Sequence, residues 1–80
     1  MTKIRNRKYL QAFGAHIRRL REAKNLSQEE LYDLAGISKN QIGNIERGEV
    51  NTTISSVYAI SKALDIPAPN LFMFEFTAED

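Results

Sequence analysis

The sequence contains no cysteine and only one histidine among its 80 residues. The absence of thiols excludes a disulfide framework, a cysteine-ligated zinc finger and a thiol nucleophile. The chain also lacks a glycine-rich phosphate loop, a metal-ligand spacing and a close arrangement of Ser, His and Asp. We therefore expect a protein that is not an enzyme and that holds neither a metal nor another cofactor.

Long hydrophobic runs are missing as well. No apolar stretch approaches the length of about 18 residues that a membrane-spanning helix requires, so we expect no membrane span. The basic N-terminus is not followed by the apolar stretch of a signal peptide, which favours a cytoplasmic protein. With 42% hydrophobic and 26% charged residues, the composition is typical of a single small folded domain.

Charge is distributed unequally along the chain. Residues 1–24 contain eight Lys and Arg against one acidic residue, whereas residues 25–80 contain three against nine, giving net charges of about +7 and −6. This asymmetry suggests a polyanionic partner for part of the surface. Residues 1–8 show no periodicity and are expected to form a basic flexible arm, which either reaches phosphates or is simply a disordered start.

Apolar spacing predicts consecutive short helices from residue 9 to residue 73. Leu10, Phe13, Ile17 and Leu20 recur at helical spacing and form the buried side of the first helix. On helices two to four, the residues predicted to face the core are Leu31, Leu34, Ala35, Ile42, Ile45, Ile54, Val57, Ile60 and Leu64. The pattern predicts an all-α domain of five helices over residues 9–73, followed by a short C-terminal extension over residues 74–80.

Helix-capping residues separate these helices. Ser27 and Ser38 are each followed three residues later by Glu or Gln, which predicts capping boxes at the starts of helices two and three. Gly36 permits the left-handed turn between those two helices. Thr53 is the predicted cap of helix four, and the two prolines that follow are expected to end it and to begin a fifth helix near residues 70–73.

The predicted third helix has an exposed face without acidic side chains. The residues on this face are Lys39, Asn40, Gly43, Asn44 and Arg47. Amide and cationic side chains are those that pair with the base edges and phosphates of DNA. The face is therefore a candidate DNA-reading surface, and an ordinary solvated helix face is the alternative.

Several signals occur in a family-specific order within the segment LSQEELYDLAGISKNQIGNIERGEVNTTISSVYAISKALDI, over residues 26–66. The specific parts are Ser27–Leu31, Gly36–Ser38, Ile45–Gly48 and Ala63–Leu64. Through them the chain resembles the Cro- and phage-repressor-like helix-turn-helix family, also called the xenobiotic-response-element family. The resemblance implies a five-helix repressor-like domain with the helix-turn-helix in helices two and three.

The resemblance also implies a function. It is that of a sequence-specific transcriptional regulator of bacterial or phage type, which binds double-stranded DNA as a homodimer on a near-palindromic operator. No small-molecule effector is expected. The chain length is similar to that of the small controller proteins of restriction–modification systems. A protein-interaction module on the same scaffold, such as an antitoxin, is the alternative.

Site residues follow from the resemblance position by position. The base-reading residues are Lys39, Asn40 and Asn44, and the residues that contact the DNA backbone are Gln28, Arg47, Asn51, Thr52 and Thr53. Arg21 and Glu46 match an interhelical ion pair with a structural role. Tyr32 stands where the family usually has alanine, so either the helix crossing angle differs or the phenol ring swings outward.

A dense apolar cluster lies at the C-terminal end, outside the predicted core. Its members are Leu71, Phe72, Met73, Phe74 and Phe76. We expect this cluster to form the dimer interface, because a domain of this size has little room to bury five such residues. The period-two phenylalanines also suggest antiparallel strand pairing across the dimer axis. The alternative is that the cluster folds back onto the first helix and leaves a monomer.

Overall fold

The computed structural model describes residues 5–77. Its elements are α1 (Arg7–Ala23), α2 (Gln28–Ala35), α3 (Lys39–Glu46), α4 (Ile54–Leu64) and a 3₁₀ helix (Ala68–Phe72). Within the described range there is no strand, so the predicted all-α class is confirmed. None of these helices is long and apolar enough to cross a membrane.

The predicted count of five α-helices is corrected to four α-helices and one 3₁₀ helix in the described part of the chain. The fifth element has only five residues and carries a proline in its first turn. Its backbone N–H of Asn70 donates to the carbonyl oxygen of Pro67 at 2.9 Å, a bond that spans three residues. Proline lacks the N–H that an α-helical bond requires, so this short segment closes with the tighter pattern.

The first helix begins at Arg7, two residues before the apolar periodicity does. Asn6 explains the earlier start, because its Oδ1 accepts the backbone N–H of Tyr9 at 2.9 Å and caps the helix. Just before it, Nη2 of Arg5 donates to the carbonyl oxygen of Glu49 at 2.6 Å, which places this residue against the loop after α3. The remainder of the predicted arm, residues 1–4, lies outside the described residues, as do residues 78–80 of the predicted extension.

The predicted caps are present at the starts of α2, α3 and α4. Ser27, Ser38 and Thr53 each accept a backbone N–H of the first helical turn through the side-chain oxygen. Only the box at α2 is complete, since the Glu30 carboxylate also accepts the Ser27 N–H at 2.8 Å. Gly36 ends α2 with φ of 72°, a left-handed conformation that glycine adopts without strain.

Gln41 does not complete a box at α3 but joins α3 to α4. Its Nε2 donates to the Ser56 hydroxyl oxygen at 2.7 Å, and the Thr53 hydroxyl donates to the same oxygen at 3.1 Å. The position of α3 is therefore fixed by a polar contact as well as by the core.

Side chains from all five helical elements form one hydrophobic core. Its buried members are Phe13, Ile17, Leu31, Ile42, Ile45, Val57, Ile60, Leu64 and Leu71. Tyr32 is partly buried and packs against this core. Its phenol ring is therefore neither fully inside the core nor turned fully outward into solvent. The inward predictions for Leu34 and Ile54 are wrong, because these side chains are 62% and 88% exposed. Ile54 is the first residue of α4 and precedes the stripe that the core covers.

The helices α1 and α3 cross at Gly14. A Cβ atom at this position would overlap the carbonyl oxygen of Ile45 and would lie 2.7 Å from the carbonyl oxygen of Glu46. The backbones of α1 and α3 are therefore in contact on one side of α3. The opposite side of α3 faces solvent.

Candidate nucleic-acid interface

The exposed side of α3 carries the residues predicted to read bases. Ile42 and Ile45 on its other side are buried in the core, which turns Lys39 and Asn40 toward solvent. The side chains of Lys39 and Asn40 make no hydrogen bond to any residue between 5 and 77. Asn44, one turn further along, is partly exposed. The helix thus presents one ammonium group and two amides on a single face.

Arg47, predicted to contact the DNA backbone, folds back over α3. Its Nη2 donates to Oδ1 of Asn44 at 2.6 Å, and its Nε donates to Oε1 of Glu49 at 3.1 Å. A Cβ atom on Gly43 would lie only 3.0 Å from Nη1 of Arg47, so the absent side chain leaves room for the guanidinium group. Sequence reasoning missed this arrangement, and its placement of Gly43 on the exposed face is wrong, because Gly43 is buried with the guanidinium group of Arg47 beside it.

A nearly buried ion pair joins the end of α3 to α1. Arg21 donates from Nε and Nη2 to the two carboxylate oxygens of Glu46, at 2.7 and 3.1 Å. Only 10% and 3% of the two side chains are exposed. The hydrogen bonds to Glu46 raise the pKa of the guanidinium above its ordinary value, against the opposing effect of burial. Arg21 therefore stays charged, and the pair holds α3 in place.

Gln28, also predicted to contact the DNA backbone, is connected to this ion pair. Its Nε2 donates to Oε1 of Glu46 at 2.9 Å, so one amide N–H is used within the protein. The side chain is exposed at the first turn of α2, where the helix dipole favours an anion. Gln28 thus links a candidate phosphate position to the end of α3.

The loop residues Asn51, Thr52 and Thr53 border a surface cleft beside α3. The cleft is lined by Ser38, Asn40, Gln41, Asn44, Val50, Asn51, Thr52 and Thr53. Thr53 caps α4, and Oγ1 of Thr52 is buried without a hydrogen-bond partner in the described part of the chain. The structure therefore brings the predicted backbone-contacting loop together with Asn40 and Asn44 around one cleft.

The C-terminal cluster is divided between the core and the surface of α1. Leu71 is fully buried, so its prediction as a dimer residue is wrong: the 3₁₀ helix turns it into the core of its own chain. The ring of Phe74 lies 5.3 Å from that of Tyr9 and 5.5 Å from that of His16. The ring of Phe76 lies 5.0 Å from that of Tyr9. Phe74 and Phe76 thus fold back onto α1, the alternative that the sequence left open.

An exposed apolar face remains between α4 and the 3₁₀ helix. We define it by Ile54, Tyr58 and Phe72, which line one groove together with Val57, Ala68 and Pro69. Met73, the next residue in the chain, is 69% exposed. Residues 72–76 form no strand within the protomer. Sequence reasoning missed this apolar face because it assigned Ile54 to the core.

A family model described as Helix-turn-helix matches residues 17–71, which is more than half of the chain. The chain belongs to this helix-turn-helix family. The segment from α2 through Gly36 to α3 is accordingly the helix-turn-helix, and α3 is its recognition helix. Proteins of this kind dock the second helix in the major groove of DNA.

Relatives in the helix-turn-helix family include controllers of restriction–modification systems. The chain is 39% identical over 56 residues to the control protein C.SmaI of Serratia marcescens, covering 70% of this chain and 67% of that protein. It is 36% identical over 63 residues to the control protein C.BamHI of Bacillus amyloliquefaciens, covering 78% of each. The crystal structure of the restriction–modification controller protein C.AhdI from Aeromonas hydrophila superposes with a TM-score of 0.78 at 41% identity, covering 79% of this chain and 96% of that one.

Membership of the helix-turn-helix family agrees with the chemistry of the α3 surface. The face carries hydrogen-bond donors and a positive charge, which suit contact with base edges and phosphates. This helix-turn-helix chain is a DNA-binding transcriptional regulator and not an enzyme.

Proposed function

We propose that this regulator binds a near-palindromic operator as a homodimer and reads base edges in the major groove with Lys39, Asn40 and Asn44. The observation that carries the proposal is the single face on α3, where an ammonium group and two amides are exposed while the helix is fixed from behind. Amides and ammonium groups match the donor and acceptor pattern that each base pair presents in that groove.

Contacts to the DNA backbone flank this face in the proposal. Gln28 would meet a phosphate at the start of α2, and Asn51, Thr52 and Thr53 would meet another beside the cleft. Phosphate contacts set the register of the protein on the duplex, and the base contacts supply the sequence preference. The connection of Gln28 to Glu46 supports this assignment, because it couples a backbone contact to the position of the recognition helix.

Dimerisation supplies the specificity that one recognition helix lacks. Two α3 helices related by a two-fold axis would enter successive major grooves about 34 Å apart. We propose that the apolar face of Ile54, Tyr58 and Phe72, together with Met73, forms the interface, because these large apolar side chains are exposed in the protomer. Phe74 and Phe76 would contribute indirectly, because their contacts with Tyr9 and His16 hold residues 74–76 against α1.

We further propose that the operator lies upstream of restriction–modification genes. The protein would act in the cytoplasm of the host cell. The similarity to C.SmaI, C.BamHI and C.AhdI supports this assignment, particularly since the match covers 96% of the C.AhdI chain. Regulation would follow protein concentration, because dimer formation and operator binding both rise with it.

The test is an electrophoretic mobility shift with duplex DNA from the upstream region of the protein's own gene, at two salt concentrations. Lys39→Ala and Asn44→Ala are each expected to lose about 1–3 kcal/mol of binding free energy and to discriminate less between sites. Arg18→Ala is the matched control, since it removes an exposed cationic side chain from α1, outside both α3 and the apolar face. If both α3 variants bind within about twofold of the wild type, the assigned face is wrong.

A further inference from the structure

Glu49 begins a series of two hydrogen bonds that leads to the exposed side of α3. Its carboxylate accepts a hydrogen bond from Nε of Arg47, and Nη2 of Arg47 donates in turn to Oδ1 of Asn44. We propose that Glu49 is a positioning residue, and that the chain from Glu49 through Arg47 to Asn44 makes this part of α3 specific for guanine. The inference rests on the proposed function, because it names the base class that the same face reads.

The hydrogen-bonding capacity of Asn44 follows from its contact with Arg47. An arginine has donors only, so the amide oxygen of Asn44, rather than its nitrogen, must face Nη2 at 2.6 Å. The amide nitrogen with its two N–H groups is then left for the ligand. Asn44 therefore acts as a donor on this face.

Arg47 contributes further donors at the same place. Its Nε is used by Glu49 and one Nη2 hydrogen by Asn44, while Nη1 lies beside the bare backbone of Gly43. These two hydrogen bonds do not use the N–H groups of Nη1 or the second N–H of Nη2. With the oxygen of Asn44 turned toward Arg47, Asn44 and Arg47 together therefore present mainly donors to a base in the groove.

A surface of donors selects a base with acceptors on its major-groove edge. Guanine presents two, N7 and O6, whereas adenine presents the N6 donor beside N7 and cytosine presents the N4 donor. Thymine offers a single acceptor and a methyl group. Asparagine pairs with adenine in two hydrogen bonds that use its oxygen and its nitrogen together. Because the contact with Arg47 turns the oxygen of Asn44 toward the guanidinium group, it disfavours this two-bond arrangement and leaves the amide N–H groups for an acceptor on guanine.

The backbone of Glu49 is anchored, which allows its carboxylate to act as a fixed point. Its N–H donates to the carbonyl oxygen of Asn44 at 2.8 Å, and its own carbonyl oxygen accepts from Arg5 at 2.6 Å. Without the carboxylate, the guanidinium group of Arg47 is free to follow a DNA phosphate. Binding then gains a sequence-independent contact and loses part of its sequence preference.

The experiment selects binding sequences from a duplex DNA library with a randomised core at one fixed salt concentration, and then measures the affinity of each protein for a selected duplex at two salt concentrations. The proteins compared are the wild type, Glu49→Ala, Glu49→Gln, Asn44→Asp and the control Glu22→Ala. Glu22 is a matched control because its carboxylate also accepts from an exposed arginine, Arg18, at 3.1 Å, but on α1. Both Glu49 and Glu22 are exposed, and thermal unfolding verifies that each variant is folded.

The wild type is expected to enrich a guanine in each half-site. Glu49→Ala should reduce that preference about tenfold and steepen the salt dependence of binding, whereas Glu49→Gln should restore the preference because its amide oxygen also accepts from Arg47. Asn44→Asp should move the preference at this position to adenine or cytosine, since a carboxylate accepts only. Glu22→Ala should select the same sequences as the wild type.

Failure of the inference and failure of the proposed function give different results. A wild type that enriches specific sequences while Glu49→Ala enriches the same ones overturns the role of Glu49 and leaves operator recognition intact. If Asn44→Asp changes the preference at a position where the wild type prefers a base other than guanine, the guanine assignment is overturned and operator recognition again remains intact. A wild type that enriches no sequence at all overturns sequence-specific binding itself.

Discussion

The backbone of Gly14 lies directly against the carbonyl oxygen of Ile45, with no space for a side chain between them. Two helices seldom approach so closely unless one of them carries glycine at the crossing. Ile45 belongs to α3, so this contact sets how deeply the recognition helix sits on the domain. The first helix thereby helps to set the position of α3.

Gly14→Ala is expected to destabilise the fold by about 2 kcal/mol. An added methyl group that meets rigid backbone costs about 1–3 kcal/mol, and the overlap with two carbonyl groups places this position at about 3 kcal/mol. Higher helix propensity returns about 1 kcal/mol. Urea denaturation measures the difference. Ala15→Gly, at the exposed neighbouring position, reports the propensity effect alone. A Gly14→Ala protein as stable as the wild type would show that α1 and α3 move apart freely.

Arg21→Ala and Glu46→Ala are each expected to lower the free energy of unfolding by about 3–5 kcal/mol, because each leaves a buried charge without its partner. The double variant should lose clearly less than the sum of the two single losses. Arg18→Ala, which breaks an exposed ion pair with Glu22, should lose less than about 1 kcal/mol. The measurement is chemical denaturation of all four proteins, and strictly additive losses would show that Arg21 and Glu46 act independently.

Ile54→Glu is expected to convert a dimer into a monomer without unfolding the chain. Ile54 is 88% exposed in the protomer, so the new carboxylate disturbs no internal contact, but burying it in an interface would be unfavourable. Leu34→Glu is the control, since this leucine is 62% exposed on α2, outside the apolar face. Sedimentation at tens of micromolar decides, and a wild-type monomer or a dimeric Ile54→Glu protein would contradict the proposed interface.

Truncation after Asn70 is not a suitable test of the same interface. It would remove Leu71, whose side chain is fully buried in the core, and would therefore destabilise the protomer together with any dimer. Point substitutions on the apolar face separate the two effects.

The helix starts and the exposed side of α3 could be predicted because they depend on neighbouring residues. Ser27, Ser38 and Thr53 cap their helices through contacts within a single turn, and Lys39 and Asn40 are exposed because the helical period separates them from Ile42. The box at Ser38 is the exception, because Gln41 donates to Ser56 of α4 instead of completing it.

The remaining features depend on contacts between distant segments and could not be read from spacing. Leu34 and Ile54 have the spacing of core residues but lie where no other element covers them. The sequence placed Leu71 in an apolar cluster outside the core, but the 3₁₀ helix turns its side chain into the core. The position of Arg47 depends on Glu49 in the following loop and on the absence of a side chain at Gly43.

The burial of Leu71 also has a consequence for synthesis in the cell. Its side chain packs with Phe13 and Ile17 of α1 in one core, so segments far apart in the chain must be present together before that core can close. During translation the N-terminal helices therefore leave the ribosome before Leu71, a fully buried member of their core, has been added to the chain. We expect the nascent domain to reach its folded form, and with it the ability to bind an operator, only after Leu71 has emerged.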